Sequence, residues 1–420
     1  MRSALRVAVL AGTVLWTAAQ TPPNPIVLDN ATVVDGTGAA ARPGCRIVIR
    51  GDRIEAIGPG VAAPAGSSAI DLAGAFVLPG LIDHHYHIEN DPKLALRHLS
   101  YGITAFRDPG QWIEQFDGLK EMIRRDGLPG PRMSLTGPHL DGPGPAYPKD
   151  SRVVLSPLEA AHWTEFAIAQ GATAIKVYFR LPLDSISAVV SAAHARKVPV
   201  TAHLEIIDAA EAIRLGLDGI EHVTSFGVAL APPREGERYR QAVLADNAAR
   251  RDGRYRMWAD LDFSTPRARA VLELAGKHRT FVDPTLAVFE RRDKAGQDEF
   301  FVKGFRNMVR FTKLLHDAGA RIVVGSHTEV PFAERGRAYF RETELLVEAG
   351  LTPAEVIRAA TSRGAEFLFR ERDLGRLQTG MLADLIVIDT DPLRDIRALG
   401  KVSRVMVGGR WVPAERYREY

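Results

Sequence analysis

Between residues 77 and 329, short apolar runs alternate with longer stretches of helical periodicity, and the pattern repeats eight times. The runs are "VLPGLIDHHYH" (77–87), "GITAFRD" (102–108), "PRMSLTGPH" (131–139), "TAIKVYF" (173–179), "VPVTAHL" (198–204), "DGIEHV" (218–223), "RTFVDPTL" (279–286) and "RIVVGSHTE" (321–329). Helical stretches such as 112–126, 156–170, 184–196, 207–216 and 302–319 separate most of them. Strands that are apolar throughout are buried on both faces, the habit of parallel sheets whose crossovers are helices. Eight such units predict an α/β fold, a closed (β/α)8 TIM-like barrel. An open doubly wound sheet is the alternative, but no Gly-rich phosphate fingerprint follows any strand.

Outside the repeats the texture changes. "IVLDNATVVDGTG" and "CRIVIRGDRIEAIGPG" near the start, and "ADLIVIDTDPL" (383–393) and "KVSRVMVGGRWV" (401–412) near the end, alternate apolar and polar residues between Gly-rich turns. That pattern predicts antiparallel strands. Neither end has enough strands to be stable alone. The two ends, 20–76 and 366–420, are therefore expected to pair into one small β-sandwich domain beside a barrel of residues 77–365.

Residues 1–19 read as a signal peptide: Met1–Arg6 is short and basic, "VAVLAGTVLW" (7–16) is apolar, and "TAA" (17–19) supplies small residues for cleavage. Export to the periplasm or the medium follows. The apolar run is short for a bilayer span, and no Cys stands at the cleavage point. No stable membrane association is expected after signal removal, an uncleaved anchor being the alternative. Cys45 is the only cysteine, so no internal disulfide forms. A net charge of +3, with mixed signs and no basic stripe, argues against a nucleic-acid partner. A homo-oligomer is compatible with the sequence. The long arginine-rich stretch 225–265 reads either as a solvated excursion or as a lid meeting an anionic group.

Histidines crowd the ends of these runs. Residues two apart on a strand share a face, so His85 and His87 project together while His84 and Tyr86 point away. A pair of neutral imidazoles on a rigid strand chelates a divalent ion. His203, His222 and His327 close three later runs, and Lys176 sits inside a fourth, where an ammonium is costly to bury without a partner. The C-terminal face is where barrel enzymes build their sites. His139 ends a strand at a Pro-flanked turn and is a candidate substrate contact. His98, His162, His194 and His316 fall in helical stretches and read as surface or packing residues. Asp83 reads as orienting backbone or a ligand imidazole, Asp108 as structural, Glu221 as lying on the strand face opposite His222, and Asp283, before Pro284, as a turn residue.

"VLPGLIDHHYH", "GITAFRDPG", "GATAIKVY", "TAHLEIIDAAEAIRLGLDGIEH" and "GRLQTGMLADLIVIDTDPLRDI" resemble the metal-dependent amidohydrolase superfamily, in particular its branch of imidazolonepropionase-like enzymes and prolidase-type dipeptidases. The similarity runs over residues 27–412. It implies that His85 and His87 bind the more buried metal, and that His203 and His222 bind a second. It also implies that Lys176 is carboxylated and bridges the two, and that Tyr178 contacts substrate. The cofactor implied is one or two divalent ions, zinc foremost. The reaction implied is hydrolysis of an amide carbon–nitrogen bond in a dipeptide or N-acyl amino acid, by attack of a metal-bound hydroxide. The substrate is a small molecule, and one bearing a carboxylate would suit an arginine of the 225–265 stretch.

The sequence departs from that family at two places. The eighth strand usually ends in a Gly-Thr-Asp-like turn whose aspartate touches metal and takes a proton, but here the turn is "GSHTE" and His327 fills the slot. Three readings stay open: His327 does the aspartate's work, Glu329 reaches the site, or hydrolysis is replaced by lyase, isomerase or binding-only behaviour. Lactone or phosphotriester hydrolysis is the alternative within hydrolases. The stretch after strand three, "HLDGPGPAYP" (139–148), also lacks the usual Gly-Gly-His, which implies a remodelled substrate pocket.

Overall fold

Each of the eight apolar runs contributes a short strand: Leu81–Asp83, Ile103–Asp108, Arg132–Leu135, Ile175–Val177, Val200–Ala202, Gly219–Glu221, Phe281–Asp283 and Arg321–Ile322. The computed structural model describes residues 24–88, 91–294, 296 and 298–420, so the signal-peptide reading lies outside the described residues. Every paired neighbour among the eight runs parallel. The pairing forms two arcs. One backbone hydrogen bond from Thr173 to Leu135 and another from His84 to Val324, both 2.9 Å, join the arcs into a ring. The chain is an α/β protein built on a TIM-type barrel.

The helices begin where local chemistry favours them. Ser156 caps Pro157–Ala169 by accepting the Glu159 N–H, with proline at the first turn where no donor is needed. Thr352 and Glu355 form a reciprocal capping box at the start of Pro353–Ala360. The third run is the exception to one strand per run. It breaks at Thr136–Pro138, and its second half, His139–Asp141, pairs with Ser151–Val153 and with Ile175–Val177 outside the barrel ring.

The ends of the chain share one eight-stranded sheet. Phe76–Pro79 pairs antiparallel with Leu385–Ile388, joining N- and C-terminal segments immediately before the first barrel strand. The expectation of purely antiparallel strands is corrected here. Ile26–Val33 runs parallel to both Ser68–Asp71 and Phe76–Pro79, because the chain crosses over rather than turning back as a hairpin. Leu28, Ile47, Val77, Leu385 and Met406 belong to an apolar cluster of this sheet, separate from that of the barrel. A half-buried Arg132 pairs with the buried Asp384 (2.5 Å) and ties barrel to sheet. Among the described residues, no helix is long and apolar enough to cross a membrane.

Candidate metal centre

At the C-terminal rim of the barrel the imidazoles meet. Ring nitrogens of His85, His222 and His327 lie within 4.8 Å of one another. The His85 and His87 rings are 5.1 Å apart, those of His203 and His222 4.5 Å, and His327 stacks on His85 at 5.0 Å. The strand alternation behind this is visible: Tyr86 turns away onto His98 and Phe106, and His84 onto Phe367.

The donor set fits a divalent ion. His222 Nδ1 meets Thr285 Oγ1 at 2.6 Å and His203 Nε2 meets Glu205 Oε2 at 2.8 Å, so one nitrogen of each ring is engaged and the other left free. His203 Nδ1 and His85 Nδ1 are buried without a hydrogen-bond partner. Burial pushes the imidazoles of His85, His87 and His222 well below their ordinary value, and those of His203 and His327 down to about 4. They are neutral at physiological pH, the form that binds metal.

Below this ring lies a layer of charge. Lys176 is fully buried and pairs with Glu221, whose other oxygen accepts from Arg107 Nη1 (2.8 Å) and Thr201 Oγ1 (2.5 Å). Burial opposes ionisation of Glu221, but Arg107 and Lys176 outweigh it and hold its carboxyl well below the usual range. The expected placement of Glu221 on the outer strand face is therefore corrected. His222 has a left-handed backbone (φ 62°), which turns the chain so that consecutive side chains both face inward. The lysine also has the partner that the sequence reading did not find.

Asp83 accepts the backbone N–H groups of His85 and Ser326 with Oδ1, at 3.0 and 2.9 Å. Asp108 similarly accepts from Gly110 and Gln111, at the head of the loop facing the centre. The eighth strand ends at Ile322, and His327 and Thr328 both have left-handed backbones, so no extended alternation carries through to residue 329. Glu329 is consequently turned out to solvent, paired with Arg335 at 3.0 Å.

Above the imidazoles opens a cavity of about 920 Å³ lined by Tyr178, His203, His222 and His327 on one side and by Tyr147, Arg250, Arg251 and Arg291 on others. The 225–265 stretch folds into helices, including Pro233–Ala245 and Arg250–Ala259, and residues 246–255, chiefly of the latter, wall this cavity. Arg250 donates to Tyr147 Oη (2.9 Å) and lies over the Phe179 ring. Arg254, one turn on, pairs with Glu205 at 3.0 Å, and Tyr239 donates to the same carboxylate. A smaller adjoining cavity of about 180 Å³ is lined by His85, His87, His139, Lys176 and Tyr178. The rings of His139 and Tyr178 are 4.6 Å apart.

The structure thus brings His85, His87, His139, Lys176, Tyr178, His203, His222 and His327 to one rim. Sequence reasoning missed Glu205, Arg107 and Asp283. Glu205 had a signal, since it follows His203 by two positions. Asp283, read as a turn residue, is instead buried with both oxygens unpartnered.

Known proteins share this fold. A prolidase candidate of Bifidobacterium longum has 26% identity, with 93% of this chain and 95% of that one covered, at a TM-score of 0.69. A Xaa-Pro dipeptidase with methionine bound in its active site shares the fold at 21% identity, covering 92% and 99%, with a TM-score of 0.70. By sequence, a deacetylase of Agrobacterium fabrum is 35% identical over 106 residues, 24% of this chain and 26% of its own length. An adenine deaminase of Leuconostoc mesenteroides is 24% identical over 352 residues, 82% and 53% respectively. The matched stretches span 53% or less of these curated relatives' lengths. The amidohydrolase family model covers residues 76–412, from the strand before the barrel to the closing strands of the sheet, and the chain belongs to the amidohydrolase family.

Proposed function

We propose that the protein is a metal-dependent hydrolase of carbon–nitrogen bonds other than ordinary peptide bonds of proteins, acting on a dipeptide or N-acyl amino acid. The observation that carries this reading is the convergence of His85, His222 and His327 nitrogens, the last two of them lining an arginine-lined cavity. His85 and His87 would hold one divalent ion and His203 and His222 a second, zinc foremost. A carboxylated Lys176 would stand between them; Arg107 is already in place to balance Glu221 once the ammonium charge is lost. When bound, such an ion lowers the pKa of water towards about 7 and polarises a carbonyl oxygen.

The chain's own residues do the rest. His327, neutral because burial holds its pKa down to about 4, carries a proton to the leaving amine. Tyr178, whose phenol burial keeps protonated, donates to the developing oxyanion. Arg250 anchors the substrate carboxylate through its planar donors, with Tyr147 bracing it. His139, packed on Tyr178, shapes the acyl side of the pocket. Export to the periplasm or medium accords with the basic–apolar–small pattern of residues 1–19. The imidazole in place of the usual strand-eight aspartate favours a second reading, a metal-bound barrel with lyase or binding-only behaviour.

Purified protein assayed for metal content and against dipeptides, N-acyl amino acids and lactones separates these. The expected result is one or two equivalents of metal per chain and turnover of carboxylate-bearing amides. His327→Ala should lower kcat about 10²- to 10⁴-fold, the range for a general acid–base group, with KM little changed. A metal-replete protein that cleaves nothing in the panel would sink the hydrolase reading. An unaltered rate in His327→Ala would remove that residue's role.

A further inference from the structure

Asp283 ends the seventh barrel strand and is fully buried. Its backbone carbonyl accepts the His222 N–H at 2.7 Å, which fixes the strand end against the sixth strand. Its side chain is another matter, since among the described residues neither carboxylate oxygen has a hydrogen-bond partner. An unpartnered buried carboxylate is costly and needs a reason. Arg107 lies nearby and gives Nη1 to Glu221 and Thr201, but none of its donors makes a hydrogen bond to Asp283.

What Asp283 does face is a ligand candidate. Its Oδ2 lies 3.4 Å from Nδ1 of His85, a nitrogen that is itself buried and without a hydrogen bond. Glu221 Oε2 approaches the same nitrogen at 3.1 Å and also pairs with Lys176, so His85 Nδ1 sits between two carboxylates, of which only that of Asp283 has no other partner among the described residues. On the eighth strand, Gly325 yields the room. A methyl group added there would run into the Asp283 carboxylate, so glycine at 325 and aspartate at 283 are one steric unit. Two residues beyond that glycine stands His327, an imidazole where the resemblance leads one to expect a carboxylate.

We propose that Asp283 is a positioning residue of the metal centre, resting on the metal-binding part of the proposed function. Strand seven supplies the anionic group that strand eight lacks. Asp283 accepts the Nδ1–H of His85 and fixes that ring so that Nε2 is presented to the ion. Such outer partners of ligating histidines raise ligand basicity, and their loss typically weakens metal binding about 10- to 100-fold.

The test titrates full-length, zinc-loaded protein with a chelator and follows bound metal directly, with no substrate present. Asp283→Asn, nearly isosteric, should lose zinc at about 10- to 100-fold lower chelator activity, while the melting temperature of its metal-free form stays within a few degrees of the metal-free parent. Moving the carboxylate back, in Asp283→Asn with His327→Asp, should restore most of the affinity, which a merely structural role for Asp283 would not predict. Should Asp283→Asn not fold, Gly325→Ala displaces the carboxylate without removing it and should give the same loss. Parental affinity in Asp283→Asn, or failure of the double variant to recover, overturns the proposal. Because no hydrolysis is read, a protein that binds zinc but cleaves nothing leaves this result standing.

Discussion

Glu221 and His222 are neighbours in sequence and both reach the barrel interior, one into the charged layer and one into the ring of imidazoles. A period-two reading assigns them to opposite faces, and the left-handed backbone of His222 reverses that assignment. The same reading succeeds at or just past the strand ends, for His85 and His87 and for Thr201, His203 and Glu205, whose side chains all face inward. Arg250 belongs to this scale too. Its guanidinium lies against Tyr147 and Phe179 and, among the described residues, has no carboxylate paired to it, unlike Arg254. Arg250→Ala is therefore expected to raise KM for a carboxylate-bearing amide about 10- to 100-fold, the loss of a charged hydrogen bond worth about 1.5–3 kcal/mol. The kcat should change little and a carboxamide analogue should be unaffected, as steady-state kinetics on the pair would show. Equal losses on both substrates would place Arg250 in the wall rather than at the anion.

At the scale of elements, the helix Arg250–Ala259 joins two parts of the site that are remote in sequence. Arg250 and Arg254 are four residues apart and share a face. The first lines the cavity, and the second holds Glu205, which in turn engages His203. Burial alone would push the Glu205 carboxyl up, but Arg254, His203 and Tyr239 outweigh it and hold it at about 2. The helix is thus part of the support for a candidate ligand as well as a wall. Arg254→Met leaves a buried carboxylate without its cation and should destabilise the fold by about 3–5 kcal/mol. Combining it with Glu205→Gln, which removes that charge, should recover most of the loss. Thermal melts of the two variants check this, and additive losses would show that the pair is not coupled. The 225–265 stretch offered sequence analysis two readings, and only packing of its helices onto Glu205 distinguishes a wall of the site from a solvated excursion.

For the whole molecule, the notable connection is between the two ends of the chain. Phe76–Pro79 leads directly into the first barrel strand and pairs with Leu385–Ile388, which lies some three hundred residues later. A chain ending at residue 382 removes that partner and the strand Val402–Val407 beside it, exposing the apolar cluster around Val77 and Leu28. Such a chain is expected to be insoluble or to lack a cooperative melt by circular dichroism. A soluble product with the parental transition would mean that the barrel folds without the sheet.

The sequence by itself determined the barrel, because eight fully apolar runs separated by helices have few other ways to be buried. It also determined which imidazoles crowd the rim, because residues at strand ends inherit the barrel's geometry. The partners of those imidazoles were decided only in three dimensions. Glu221, Glu205 and Asp283 are ordinary acids in the linear chain, and their partners Arg107, Arg254 and His85 stand 114, 49 and 198 positions away, brought close by the closed ring and by left-handed turns that no periodicity encodes. Burial then fixes their charge states, since a carboxylate removed from water takes its properties from whichever neighbour the fold supplies.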